Sequence, residues 1–301
     1  MQKDYPTLGV GVLCRLFGKT RHAYYDHQWR HKGDDLRDEI VLQEVLEIRK
    51  TLRKAGIRQL MVNLEPKLAS HGIKIGRDAL NDLLREHKLL IRQRKRKAYT
   101  TDSRHWMRKY ANLIRGMMID RPEQVWVSDI TYIAMADGWG YLSLITDLYS
   151  HKIMGYCFRM DLSAVGCLDA LQMAFDHRSY GDQPLIHHSD RGTQYCCKTY
   201  VDLLGSQGVA ISMTEKKDPY ENPVAERANG ILKEEFDCYS SAVDFEKTCQ
   251  HIIKSIADYN AVRPHSSCDN LTPEKAHLQT GVLKRRWKNY YRKSPQRITS
   301  V

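Results

Sequence analysis

Apolar residues recur with two different periods along the chain, and the change falls near residue 120. Up to residue 91 they stand three and four positions apart, which is typical of amphipathic helices. This pattern predicts helices at 8–17, 21–27, 36–54, 58–70 and 77–87. A polar break at 31–35 separates the second helix from the third. The first two helices have the spacing of a helix-turn-helix unit, and the last two form a second helix pair.

From residue 125 the chain is rich in β-branched and aromatic residues, which favour strands. The predicted strands are 125–135, 141–145, 153–160, 184–188 and 209–213. The predicted helices among and after them are 164–177, 199–206, 224–236 and 245–259. Because Asp137-Gly138 is a hairpin-type turn, the first three strands are predicted to be antiparallel. The order βββαβαβα predicts an α/β fold: a mixed five-stranded sheet flanked by helices, preceded by an all-α region.

Charge is distributed unevenly between these parts. The chain of 301 residues has a net charge of +11, but residues 1–120 carry +12, residues 121–280 carry −8 and residues 281–301 carry +7. Basic flanks favour a polyanion, whereas an acidic centre repels one unless cations intervene. An acidic site that acts on nucleic acid usually holds metal ions. A solvated acidic surface is the alternative that composition leaves open.

Pattern and charge together predict five segments. They are a helix-turn-helix region at 1–32, a second helical DNA-binding domain at 35–91, a basic linker at 92–120, the α/β core at 121–280 and a basic-aromatic tail at 281–301. Cations and polar side chains that share a helix face or follow one another in the linker suit phosphate and base contacts, although solvated faces explain the same pattern. The predicted DNA-contacting residues are Arg21, His22, Tyr25, Arg77, Asn81, Arg85, Arg92, Arg94, Lys95, Arg96 and Lys97.

Composition also excludes several classes of protein. No apolar run approaches the roughly 18 residues that span a bilayer, and residues 1–6 contain no secretory signal. The eight cysteines form no C-x-x-C pair, which argues against a disulfide framework and against a structural zinc site. We therefore expect a cytoplasmic protein with no membrane partner.

Three carboxylates of the α/β core stand out by position. Asp129 lies in the first predicted strand, Asp190 follows the fourth, and Glu226 lies in the first turn of the helix predicted at 224–236. If the first and fourth strands are neighbours, the two aspartates converge, and a helix across that edge brings Glu226 to them. Mg²⁺ prefers such oxygen ligands, and two ions about 4 Å apart assist phosphodiester displacement.

Spacing alone does not select these three acids. Acidic residues are frequent in this chain, and Asp147, Asp161 or Asp237 could belong to rival triads. Lys233 follows Glu226 by seven residues, which is two helical turns along one face. A cation at that position could hold a phosphate near bound metal ions.

Sequence context identifies a resemblance that covers nearly the whole chain. The strings at 126–132, 188–195 and 222–227, WVSDITY, HSDRGTQY and NPVAER, followed by Leu232-Lys233, resemble the catalytic core of OrfB-type insertion-sequence transposases. That core is the one closest to retroviral integrase. Residues 259–265 and 272–273 resemble the C-terminal signature of the same family, and weaker resemblances to its N-terminal DNA-binding regions lie at 12–25 and 72–90.

The resemblance implies a ribonuclease H-like fold and a DDE metal triad that cleaves and joins DNA strands. Asp129, Asp190 and Glu226 match the metal ligands of the triad, and Lys233 matches a DNA contact near the active site. The implied cofactors are Mg²⁺ or Mn²⁺, two ions per site. The implied partners are the terminal inverted repeats of the element, target DNA and further copies of the chain that pair two ends, in a protein associated with the nucleoid when bound to DNA.

Further motif positions have supporting roles under this interpretation. His188 and Asn222 match the family pattern, and we favour support of the metal ligands over metal ligation by His188 because Mg²⁺ prefers oxygen. Tyr259, Arg263 and His265 are expected to pack the last helix against the core. Whether the chain acts alone or with an upstream-frame product stays open. A catalytically inactive DNA-binding repressor and a structure-specific nuclease of the same fold are the alternatives.

Overall fold

The computed structural model describes residues 9–91, 106–136, 138–215, 221–238 and 243–286. The chain forms two compact units. One consists of residues 1–50 and 56–91, and the other of residues 51–55 and 92–301. None of the helices in the described ranges has both the length and the apolar character needed to cross a lipid bilayer.

The first unit is built from four helices. They are α1 (Val10–Leu16), α2 (Arg21–Thr51), α3 (Ile57–Ala69) and α4 (Arg77–Glu86). Leucines at helical spacing form the buried faces of α3 and α4, among them Leu60, Leu64, Leu80 and Leu84. The first unit is therefore all-α, as predicted, and the turn between α3 and α4 falls where the second helix pair was expected.

The predicted break at 31–35 is wrong, because α2 runs continuously from Arg21 to Thr51. The segment is polar but contains no proline, and its single Gly33 costs a helix only about 1 kcal/mol. Hydrogen bonding along the helix outweighs that cost. The helix thus crosses the boundary that the sequence placed between 1–32 and 35–91.

The second unit contains a five-stranded sheet. Its strands are β1 (Val125–Met135), β2 (Gly138–Asp147), β3 (Ile153–Arg159), β4 (Ile186–Ser189) and β5 (Ala210–Met213). The order across the sheet is β3-β2-β1-β4-β5. Strands β1, β2 and β3 are antiparallel neighbours, whereas β4 is parallel to β1 and to β5. The predicted mixed sheet is confirmed.

Helices cover both faces of this sheet. They are α5 (Ala164–Asp176), α6 (Thr193–Cys196), α7 (Lys198–Ser206), α8 (Pro223–Glu234), α9 (Phe245–Ala261) and α10 (Pro273–His277). Trp126 of β1 packs with α5 and α7 on one face, and Val127 packs with α8 on the other. A Cβ on Gly155 would lie 2.0 Å from the Ala170 carbonyl oxygen, so glycine permits the close approach of α5 to β3.

The segment predicted as a linker at 92–120 packs on the core over much of its described part. We call residues 107–119 the strap. Met107 and Tyr110 pack against the cluster that contains Trp126, and Ile114 and Ile119 pack against the cluster that contains Val127. The Ala111 carbonyl oxygen accepts from the Met213 amide of β5. Charge alone predicted a linker, but four spaced apolar side chains attach it to the sheet edge.

Polar side chains within residues 259–265, at the end of α9 and just after it, attach this helix to the rest of the unit. Asn260 exchanges two hydrogen bonds with the backbone of Ile153 in β3, at 3.0 Å each. The Tyr259 hydroxyl donates to the His151 carbonyl oxygen at 3.0 Å. Arg263 pairs with Glu235 just after α8 at 2.8 Å. These contacts support the packing role expected for this motif.

Candidate active site

Asp129 and Asp190 lie on neighbouring parallel strands. Strand β1 pairs with β4 so that Val127 is opposite His188. Asp129 lies two residues beyond that pair in β1, and Asp190 lies two residues beyond it, just after the end of β4. Because the strands run in the same direction, both carboxylates stand at the same end of the sheet. The predicted adjacency of the first and fourth strands is confirmed.

Helix α8 brings Glu226 to this end of the sheet. Glu226 lies in the first turn of the helix. Just before the helix, Asn222 Nδ2 donates to the Ser128 carbonyl oxygen at 2.9 Å, which attaches the start of α8 to the residue next to Asp129. Ala225 packs in the apolar cluster of β1. Glu226 itself is exposed, so its carboxylate is accessible from solvent.

The charges of the three carboxylates act on one another. The pKa of Asp129 is raised to about 7, because burial disfavours its charged form and because Asp190 and Glu226 add negative charge nearby. Hydrogen bonds from Asn229 and from the Ile130 amide partly oppose the increase. A carboxylate in such surroundings is stabilised by a cation.

The donors fit a hard divalent cation that also takes ligands from substrate. The carboxylates come from β1, from the turn after β4 and from α8, and Asp190 and Glu226 act electrostatically on Asp129. Within the described ranges, no three His, Cys, Asp or Glu side chains stand close enough together to enclose a metal ion. Mg²⁺ is usually bound through one or two carboxylates, with water and substrate phosphate completing its ligands. An open set of carboxylates matches that preference.

The rival acids considered from sequence have other partners. Each accepts a hydrogen bond or ion pair from a nearby side chain: Asp147 from Ser150, Asp161 from Arg159 and Asp237 from Lys54. The Asp129 pKa responds instead to Asp190 and Glu226. These contacts favour Asp129, Asp190 and Glu226 over the rival triads, and the assignment of the triad stays a prediction.

Asn229 is a site residue that the sequence reasoning missed. Its Nδ2 donates to Asp129 Oδ2 at 2.8 Å. Asn229 is buried in α8, one turn after Glu226. Helical spacing was the available signal, since positions 226, 229 and 233 share one face of the helix. The partner on β1 could not be read from that spacing.

Lys233 lies on the same face of α8, near the carboxylates. Its pKa is lowered by burial, while the negative charge of Asp129 acts to raise it. The side chain is half-buried, and it is close enough to the site to interact with Asp129. A half-buried ammonium beside a carboxylate cluster suits a phosphate that enters the site.

Asp190 is held in a tight turn after β4. Its Oδ1 accepts from the Gly192 amide at 2.9 Å. A Cβ on Gly192 would lie 3.0 Å from that same oxygen, so a larger residue would press on the carboxylate. The glycine that follows Asp190 by two positions therefore helps to set the direction of its side chain.

His188 and Asn222 lie next to the predicted metal ligands. His188 is two residues before Asp190, and Asn222 donates to the residue before Asp129. The Nδ1 of His188 is 2.8 Å from Ser212 Oγ, and its Nε2 is 3.1 Å from the Glu221 carbonyl oxygen. Both ring nitrogens are therefore engaged, and the residue is fully buried. Burial lowers the pKa of His188, which favours the neutral ring. These contacts agree with support of the triad and not with ligation of a metal ion.

Two models of the integrase core domain match residues 119–219 and 207–273. The chain is also 32% identical over 280 residues to the uncharacterized 31 kDa protein of insertion element IS600 from Shigella sonnei, which covers 88% of this chain and 98% of that relative. The chain belongs to the insertion-sequence transposases with an integrase core. The transposase of IS629 from Shigella sonnei is 30% identical over 232 residues, with 75% and 76% of the two chains covered. The InsF transposase of IS3A from Escherichia coli is 26% identical over 279 residues, with coverages of 91% and 96%.

Solved structures similar to the transposase include retroviral integrases. The HTLV-2 integrase catalytic core, solved with magnesium, aligns with a TM-score of 0.42 at 17% identity, over 52% of this chain and 97% of that one. A simian T-cell lymphotropic virus intasome gives a TM-score of 0.47 at 16% identity, over 76% of each chain. The order of the sheet and the match to the integrase core domain confirm the ribonuclease H-like fold that the resemblance implied.

The residues of the first unit that were predicted to contact DNA lie on its surface. Arg21, His22 and Tyr25 are exposed on α2. On α4, Arg77 and Arg85 are exposed and pair with neighbouring aspartates, whereas Asn81 is half-buried. Contact with DNA stays a prediction for all six. The remaining predicted contacts lie outside the described residues of the transposase, and they are Arg92, Arg94, Lys95, Arg96 and Lys97.

Proposed function

We propose that this transposase binds the ends of its insertion sequence and catalyses metal-dependent cleavage and strand transfer at Asp129, Asp190 and Glu226. The observation that carries the proposal is the placement of Asp129 and Asp190 at the same end of two neighbouring parallel strands, with the start of α8 attached beside Asp129. The pKa of Asp129, raised to about 7 with help from the other two carboxylates, agrees with it. Mutual repulsion of this kind is unfavourable in a metal-free protein and is relieved by a cation. Electrostatic strain without a structural benefit is typical of a functional site.

The three carboxylates would hold Mg²⁺ or Mn²⁺, and two ions per site fit the reaction. Bound there, the cations would supply Lewis-acid activation of the attacking oxygen and neutralise charge at the leaving oxygen. Asn229 holds Asp129 Oδ2 in place. Lys233, on the same helix face, would contact a phosphate of the bound strand. The chain's own residues therefore orient the ligands and the DNA.

The reaction joins two displacements at phosphorus. A water oxygen first attacks the phosphodiester at the element end, and the bond to the 3′ oxygen breaks to leave a 3′-hydroxyl. That hydroxyl then attacks a target phosphodiester in line, and the bond from that phosphorus to the target's 3′ oxygen breaks to leave a 3′-hydroxyl on the target strand. No covalent protein–DNA intermediate is needed, because the nucleophile in each step is an oxygen of water or of DNA.

The basic parts of the chain would position the DNA. The exposed residues of α2 and α4, together with the cations at 92–97, suit the terminal inverted repeats and the target duplex. Pairing of two element ends calls for at least two copies of the chain. The compartment proposed is the bacterial cytoplasm, with nucleoid association when DNA is bound.

The decisive experiment changes one carboxylate of the triad and one outside it. Asp190→Asn is expected to lower cleavage and joining of an element-end duplex by on the order of 10³-fold while leaving binding of the duplex intact. The matched control is Asp202→Asn, which removes the same charge from an exposed position on α7. Joining by Asp190→Asn at the unmodified rate would contradict the triad.

Wild-type protein in the same assay tests the alternatives. Binding without nicking, in Mg²⁺ and in Mn²⁺, would favour a repressor. Cutting of branched DNA with no dependence on the element end would favour a structure-specific nuclease.

A further inference from the structure

An arginine of the strap holds the segment that leads into α8. Arg115 Nη2 lies 2.8 Å from Glu221 Oε1 and 3.1 Å from Glu215 Oε2. Glu215 follows β5, and Glu221 stands immediately before Asn222 at the start of α8. One guanidinium therefore links two carboxylates on either side of residues 216–220.

Glu215 and Glu221 also accept hydrogen bonds from backbone amides. Glu221 Oε2 accepts from the Glu215 amide at 2.8 Å, and Glu215 Oε1 accepts from the Asn112 amide of the strap at 3.3 Å. The Leu113 amide of the strap donates to Ser212 Oγ at 2.9 Å. The Ser212 hydroxyl also contacts His188, whose other ring nitrogen contacts the Glu221 carbonyl oxygen. The strap, β4, β5 and the start of α8 thus form one connected network.

This network ends at the triad. Glu221 is followed by Asn222, which is bonded to the Ser128 carbonyl oxygen, and four residues later comes Glu226. The exposed Glu226 is the triad member nearest to this segment in the chain. A shift of Glu221 would therefore be transmitted to the first turn of α8.

We propose that Arg115 is a positioning residue, which acts through Glu221 and Glu215 to fix the first turn of α8 and with it Glu226. This inference rests on the proposed function of the triad. Without the guanidinium, the two carboxylates that it now bridges would repel each other, and the Glu221 side chain, only 10% exposed, would lose this cation. The strap thus contributes to the active site although it lies outside the strands and helices that carry the triad.

The first experiment separates positioning from DNA contact. Arg115→Ala and Glu221→Gln are each expected to lower the cleavage rate about tenfold and to raise the Mg²⁺ concentration needed for half-maximal cleavage. The control is Arg108→Ala, which removes the same charge from another position of the strap. Arg108 lies over the Tyr110 ring at 5.0 Å, and its replacement is expected to leave the cleavage rate and the Mg²⁺ requirement unchanged. Arg115→Lys recovers part of the rate.

The Glu221→Gln variant distinguishes a positioning role of Arg115 from direct contact of Arg115 with DNA. If Arg115 only contacted DNA, removing a negative charge next to it would leave cleavage unchanged or increase it. That result, with Arg115→Ala still impaired, would overturn the proposal. A double variant with Arg115→Glu and Glu221→Arg restores an opposite-charge pair and is expected to recover cleavage relative to Arg115→Glu alone.

The second experiment measures position without activity. Amide hydrogen exchange in residues 221–227 is expected to be severalfold faster in Arg115→Ala and Glu221→Gln than in wild type, and unchanged in Arg108→Ala. Unchanged exchange in Arg115→Ala and Glu221→Gln would refute the positioning role of Arg115 even if cleavage fell. If wild-type protein cleaves no element end, the proposed function fails, and hydrogen exchange still tests the positioning role of Arg115.

Discussion

Strand β1 connects two carboxylates whose pKa values shift in opposite directions. Glu123 lies just before the strand, and Asp129 lies within it, six residues and about 20 Å farther along. Glu123 is fully buried, and Asp129 is half-buried. The pKa of Glu123 is lowered, whereas the pKa of Asp129 is raised to about 7.

The difference lies in what surrounds each carboxylate. Burial acts to raise the pKa of Glu123, but hydrogen bonds from His277 and from the Ser179 and Tyr180 amides lower it more. The amides lie 2.8 and 2.9 Å from its oxygens, and His277 Nε2 lies 3.2 Å away. Glu123 thus binds α10 and the turn after α5 to the sheet.

Asp147 completes this second cluster. Its Oδ2 accepts from the Glu123 amide at 2.7 Å, and its Oδ1 accepts from the amide and hydroxyl of Ser150 at 2.7 Å each. The Ser150 hydroxyl lies 3.0 Å from His277 Nδ1. Donors of the protein outweigh burial at Glu123, whereas at Asp129 burial and the charges of Asp190 and Glu226 outweigh the donors Asn229 and Ile130. We infer that the first arrangement serves stability and that the second serves a ligand.

The largest expected effect is at the strained carboxylate. Asp129→Asn is expected to lower cleavage by on the order of 10³-fold and to raise the unfolding free energy of the metal-free protein by about 1–3 kcal/mol. The gain arises because the raised pKa makes charged Asp129 unfavourable, an effect that is absent below pH 3.8 and complete above pH 7. Urea unfolding at pH 5 and pH 8 measures it. A variant that is both inactive and less stable would contradict this account.

The satisfied carboxylate gives the opposite result. Glu123→Gln is expected to lower the unfolding free energy by about 3 kcal/mol, because the buried amides and His277 lose their charged partner. Cleavage per folded molecule is expected to stay at the wild-type level. Thermal unfolding and a cleavage assay below the melting temperature test both statements. Loss of cleavage in fully folded protein would show that the two clusters are not independent.

An intermediate effect is expected at Asn229. Asn229→Ala removes the hydrogen bond to Asp129, so it is expected to lower cleavage by about tenfold or more and to raise the Asp129 pKa further. The pH dependence of cleavage should move to higher pH as a result. Gln172→Ala on the surface of α5 is the matched control, since it removes an exposed amide. An unchanged pH profile in Asn229→Ala would argue against its orienting role.

The smallest effect is the pH dependence of stability. Burial acts to lower the pKa of His277, but Asp147 and Glu123 raise it above 6.5 overall. Its contribution is therefore complete below pH 6.5 and is lost as pH rises through the raised value. The contribution of Glu123 is complete above pH 4.5 and is lost as pH falls through its lowered pKa.

In the Asp129→Asn variant the contribution of His277 can be followed without that of Asp129. The buried His151 and His187, whose pKa values are lowered to about 4 and about 3, make stability rise with pH up to about pH 6.5. Above that pH, loss of the His277 contribution should lower stability by about 1 kcal/mol toward pH 8. Adding His277→Gln should remove the decrease on the alkaline side. A decrease of the same size in the double variant would exclude His277 as its source.

The three residues of the proposed triad could be singled out from the sequence because each lies at a recognisable place in an element. Asp129 in a strand, Asp190 after a strand and Glu226 in a first helical turn are positions set by local pattern and context. The sequence did not reveal Asn229, whose partner is 100 residues away. It also did not reveal the helices α6 and α10, which are too short to show a helical period. The break in α2 was wrong because polarity was taken as the end of a helix.

By itself, the sequence determined the all-α front, the mixed sheet, the division of charge and the three carboxylates of the family motif. These depend on periods of two and of three to four residues and on short strings, which are local. Tertiary structure alone decided that donors outweigh burial at Glu123, and that burial and neighbouring acids outweigh donors at Asp129. It also decided that the strap packs on the sheet and brings Arg115 to Glu221. Those contacts join residues far apart in the chain, and their pKa shifts depend on burial and on neighbours that only folding brings together.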